Sequence, residues 1–91
     1  MRIREGFILR RVADVPVIVA VGKARETFKG MMNLNSTGEC IWECLEKGMS
    51  KDEILYTMLE RYEVKEEKAR ADLDTFLGRL KEVGAIDELE K

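Results

Sequence analysis

Leu34-Asn35-Ser36-Thr37-Gly38-Glu39-Cys40-Ile41-Trp42-Glu43-Cys44-Leu45 is the stretch around which the chain is organised. It opens as the end of a strand and closes as a helix. Asn35 or Ser36 can cap that helix, because a short side-chain oxygen accepts a backbone N–H that has no partner in the first turn. Ser36 and Glu39 have the spacing of a capping box. Ile41, Cys44 and Leu45 fall on one helical face, with Trp42 at its edge. Before this stretch the sequence alternates like strands; after it, apolar residues recur with helical spacing.

Working backwards, Gly30-Met31-Met32-Asn33-Leu34 reads as a short third strand, with Met32 and Leu34 on one face and Met31 and Asn33 on the other. A polar linker, Gly22 to Lys29, precedes it. Val17 to Val21 is apolar at every position, as in a strand in the middle of a sheet. Phe7 to Val12 is the first strand, and Ala13-Asp14-Val15-Pro16 breaks it. Working forwards, the first helix spans Ser36 to Glu46 and stops at Lys47-Gly48. Ser50-x-x-Glu53 is a second capping box, opening a helix with Ile54, Leu55, Met58, Leu59 and Tyr62 on one stripe. A third helix runs from about Lys65 to Val83, with Ala69, Leu73, Phe76, Leu77, Leu80 and Val83 inward. Gly84 stops it, and residues 85–91 read as a tail. Three strands followed by three helices make an α+β domain spanning residues 1–91.

Composition narrows the function classes. The 91 residues carry no His, two Cys and a net charge of −2. Without His the commonest general base is missing, and the acids are scattered over polar helix faces. No glycine-rich phosphate loop is present. Cys40 and Cys44 share a helix face, but two thiols without His make a poor zinc set, and their parallel Cβ vectors suit no disulfide. Their expected role is core packing. No catalytic residue, metal site or cofactor is expected. The seven Lys and Arg of residues 1–30 face three acids, a balance of +4. Residues 31–91 hold nine against fifteen, a balance of −6. An acidic helical half argues against nucleic acid as a partner. No run is long and apolar enough to span a bilayer, and Met1-Arg2-Ile3-Arg4-Glu5 does not read as a signal peptide. The expected location is the cytoplasm, where both cysteines stay thiols.

Leu34-Asn35-x-Thr37-Gly38-x-x-Ile41-Trp42-x-x-Leu45 resembles the signature of the PqqD-like proteins, the peptide-recognition modules of pathways that modify ribosomally made peptides. Gly6-Phe7-x-Leu9-Arg10, Tyr62-x-Val64, Asp72-x-x-x-Phe76-Leu77-x-x-Leu80 and Val83-Gly84-x-Ile86 extend the resemblance in the same order. Two places depart from the family pattern: Val19-Ala20-Val21-Gly22 lacks its proline, and Val64-Lys65 lacks a capping oxygen before the third helix. The resemblance implies a winged-helix-like fold with a three-stranded antiparallel sheet. It implies a binding function: the leader segment of a precursor peptide pairs with the third strand and is presented to a modifying enzyme, a radical S-adenosylmethionine (SAM) protein in pyrroloquinoline quinone (PQQ) synthesis. The module would act as a monomer or weak dimer. Carried onto this chain, the peptide-binding strand is Lys29, Gly30, Met31, Met32, Asn33 and Leu34. The helix side is placed near Arg70, Leu73, Asp74 and Leu77, at exposed or half-exposed positions; periodicity leaves open which flank faces the groove. The competing expectation is a winged-helix DNA-binding regulator, which the mixed charges of the third helix fit poorly.

Overall fold

The computed structural model describes residues 1–87 and contains three strands followed by three helices. The strands are β1 (Phe7–Val12), β2 (Val15–Ala20) and β3 (Met31–Asn33), and the helices are α1 (Ser36–Glu46), α2 (Lys51–Arg61) and α3 (Glu66–Glu82). The sheet is antiparallel with order β1-β2-β3, so β2 is central, as its apolar run implies. A short 3-10 helix, Gly22–Glu26, occupies the linker before β3.

The hairpin between β1 and β2 is tighter than its sequence suggests. Ala13 and Asp14 both take positive φ, 52° and 67°, which makes a two-residue turn of the kind whose twist matches the flanking strands. Val15 and Pro16 therefore belong to β2. Pro16 is tolerated because its polar groups face β3 at the end of the ladder. Its carbonyl accepts from the Leu34 N–H at 2.9 Å, and only the return bond is missing.

The helix ends follow local chemistry. At α1 the cap is Asn35, whose side chain accepts from the Gly38 N–H at 2.8 Å. Ser36 is the first helical residue, so it forms no capping box with Glu39. The Glu39 carboxylate instead pairs with Arg11 of β1. At α2 the box is complete: Glu53 N–H donates to Ser50 Oγ, and Ser50 N–H donates to Glu53 Oε1. Lys65 offers α3 no side-chain cap, as its sequence implies.

The core lies where the sheet meets the helices. Ile18, Met32 and Leu34 come from the sheet side, Ile41, Trp42 and Leu45 from α1, Ile54 and Met58 from α2, and Leu73, Leu77 and Leu80 from α3. Trp42, at the edge of the apolar face of α1, is fully buried in the core, with its indole N–H donating to Glu46 at 3.1 Å. α2 packs against both α1 and α3. Leu59, Tyr62 and Val83, expected inward, are half-buried against this core.

Two residues assigned to the tail belong to the core instead. Ala85 and Ile86 are buried, and Ile86 bridges to Ile3. Arg4 N–H donates to the Ala85 carbonyl and Asp87 N–H to the Arg2 carbonyl, tying the first residues to the chain after α3. Gly84 makes that reversal possible. Its φ is +78°, and a Cβ there would lie 2.7 Å from the Thr27 methyl. The rest of the expected tail, residues 88–91, lies outside the described residues.

Candidate functional site

β3 is an edge strand, and its register fixes which backbone groups are free. Val17 pairs with Asn33, Ile18 with Met32 and Val19 with Met31. In an antiparallel ladder the polar groups of successive residues point to opposite sides. Leu34 N–H reaches Pro16, so Leu34 and Met32 turn their polar groups to β2. Met31 and Asn33 therefore aim N–H and C=O at the open edge. Such a row can pair with an incoming strand.

Beside that edge runs α3, and the space between them is a cleft. One cavity of about 540 Å³ has Leu34, Gly38, Ile41 and Phe76 among its lining, with Lys68, Asp72 and Thr75 on its helix side. A second, of about 410 Å³, is lined by Phe28, Met31 and Met32 and by Glu82 and Val83. Asn33 and Arg79 line both, so the two cavities form one trough. Gly38 keeps the first cavity's floor close-packed: a Cβ there would lie 3.1 Å from the Phe76 ring and 3.3 Å from Asn35 Oδ1. The stretch that organises the sequence thus builds the cleft floor. Asn35 caps α1, Gly38 admits Phe76, and Ile41 and Leu34 supply apolar surface.

The structure brings the strand residues together and separates the expected helix residues from them. Met31 and Asn33 are exposed, Met32 and Leu34 are buried, and Lys29 and Gly30 lie exposed just before the strand. Leu73 and Leu77, expected to be at least half-exposed, are 0% exposed and belong to the core. Arg70 is exposed and pairs with Glu66 at 2.7 Å, one turn earlier on α3. Asp74 pairs with Lys51 at the start of α2. That flank looks toward α2. The flank beside β3 carries Lys68, Asp72, Thr75, Phe76 and Arg79, spaced three and four apart. Lys68 and Asp72 pair across an exposed 3.4 Å contact. Arg79 has no ion pair among the described residues.

Cys40 and Cys44 are buried free thiols away from the cleft lining, and Arg61 donates to Cys40 Sγ at 3.6 Å. No group of three or more metal-ligating side chains occurs among the described residues. Burial, then neighbouring Cys40, raises the Cys44 thiol above its ordinary 9.0. Tyr62 is likewise raised, by burial first. The unfolded chain therefore ionises before the folded one. This contribution to stability is complete below about pH 9 and declines above it. Urea unfolding should show a lower midpoint at strongly alkaline pH than at neutral pH. The double variant Cys40→Ala, Cys44→Ala should lose roughly 1–3 kcal/mol at neutral pH and show a shallower alkaline decline.

Comparison with known proteins gives the family. The sequence profile described as "Coenzyme PQQ synthesis protein D (PqqD)" matches residues 8–86, nearly the whole chain. The chain belongs to the PqqD family. A solved structure that matches this PqqD-family fold is "TbiB1 in Complex with the TbiA(beta) Leader Peptide". It aligns over 96% of this chain and 100% of that one, with a TM-score of 0.73 and 26% sequence identity. Comparison with curated protein sequences returned no match. The family assignment accords with the α+β fold and with the order of motifs from β1 to Ile86.

Proposed function

We propose that this chain captures the leader segment of a ribosomally made precursor peptide by adding it as a strand to β3, and holds it for a modifying enzyme. The observation that carries the reading is the outward aim of the Met31 and Asn33 backbone groups into a helix-lined cleft. Strand addition draws affinity from main-chain hydrogen bonds and selectivity from flanking pockets, and both are supplied here. The family assignment and the leader-peptide complex of the similar protein support it. In this reading the chain is a binding module rather than a catalyst. The chemistry belongs to its partner, a radical SAM protein or another peptide-modifying enzyme.

The test is fluorescence anisotropy with a labelled leader segment of a candidate precursor peptide. Saturable binding that requires the leader, and not the modified portion of the peptide, is the expected result. Binding of the modified portion alone would contradict it. The acidic helical half predicts a further outcome: gel shifts at physiological salt should show no sequence-selective duplex binding. Tight, sequence-selective retardation would favour a DNA-binding regulator.

A further inference from the structure

The cleft has a waist. Asn33 from the strand and Arg79 from the helix are the residues common to both cavities. On one side lie Leu34, Ile41 and Phe76; on the other lie Phe28, Met32 and Val83. Leu34 and Met32 are two apart on one strand, so they share a face and lie roughly 7 Å from each other. A strand added beside β3 continues the same pleat. Two of its side chains, also two apart, then drop into the two cavities, against the apolar part of each lining. The residue between them faces outward at the waist.

Arg79 stands at that waist. It is exposed and makes no ion pair among the described residues, whereas Lys68 on the same flank is engaged by Asp72. Glu82, an acid of this rim with no ion pair among the described residues, lines only the second cavity, which places the attraction for an anion at the waist rather than at that end. We propose that Arg79 is a specificity-determining residue that selects an apolar-acidic-apolar triplet in the bound segment, its guanidinium pairing with the central carboxylate. A planar guanidinium suits this task because it matches a carboxylate with two parallel N–H donors. The inference rests on strand addition at β3 and adds the chemistry of the peptide that β3 accepts.

The experiment is parallel selection of a displayed library of random short peptides against the full chain and its Arg79→Glu variant. Circular dichroism checks that both are folded, which the exposure of Arg79 leads us to expect. The wild type should enrich an acid flanked on both sides by apolar residues. Arg79→Glu should keep the apolar pair and exchange the central acid for Lys or Arg. A peptide selected on the wild type should bind Arg79→Ala about threefold to tenfold more weakly, with the difference shrinking as salt is raised. An apolar pair with no central preference, or an acid preference that survives Arg79→Glu, would overturn the role of Arg79 and leave strand addition standing. Selection of nothing, or of peptides whose binding survives Asn33→Pro, would overturn strand addition and this inference with it.

Discussion

Asn33→Pro is expected to abolish peptide capture while leaving the protein folded. Asn33 pairs with Val17, but its N–H points away from β2 toward the cleft. Proline is tolerated on an edge strand when its missing N–H faces solvent, so the sheet should survive. A bound peptide strand would lose a donor, and the proline ring would stand where its carbonyl must approach. Leaving that buried acceptor unpaired, with the added clash, should weaken binding about a hundredfold. Met31→Pro should behave alike. Met32→Pro should not, because the Met32 backbone bonds β2 and its side chain is buried, so that variant should lose the fold itself. Asn33→Ala keeps the backbone donor and should change affinity little. Calorimetric titration of each folded variant with the leader segment separates the cases.

Leu77→Asp is expected to unfold the domain, not merely to weaken binding. Leu77 is 0% exposed in the contact between α3 and the rest of the core. Truncating such a side chain costs roughly 2–5 kcal/mol, and an unpaired buried carboxylate adds several more. That total approaches the roughly 5–15 kcal/mol that holds an ordinary domain together. Leu73→Ala, at a position equally buried, should fold with its thermal midpoint lowered by roughly 10 °C or more. Asp74→Ala is the contrast on the α2-facing flank. It breaks an exposed pair with Lys51 worth under about 1 kcal/mol and should leave capture unchanged. Thermal melts of the three variants, followed by circular dichroism, check the order.

The contrast between Leu77 and Arg79 also marks how far the sequence could be read. Element order, the central place of β2 and the Ser50 box were legible because period, turn residues and caps are local signals. The family motifs named β3 as the peptide edge, but they could not say which of its residues aim outward; that needed the register with Val17 to Val19. On α3, the buried stripe of Ala69, Leu73, Phe76 and Leu80 was plain from its spacing. Its two flanks, Arg70 with Asp74 and Lys68 with Arg79, lie symmetrically about that stripe. Only the packing of α2 on one side and β3 on the other tells them apart. The Ser36–Glu39 box and the Ala13-Asp14 turn were misjudged for a related reason. Asn35 and Ser36 are both able caps, and neither Ala nor Asp announces two successive positive φ values. The burial of Ala85 and Ile86 depends on a bridge to Ile3 across the whole chain, which no local pattern carries.

Amide hydrogen exchange at β3, read by NMR with and without the leader segment, tests strand addition most directly. The Met32 amide already bonds β2 and should be protected in both states. The Met31 and Asn33 amides should exchange freely in the unbound protein and become protected when the peptide binds, with shifts extending to Thr75 and Arg79 on α3. Protection confined to α2, with Met31 and Asn33 unchanged at saturation, would contradict the account.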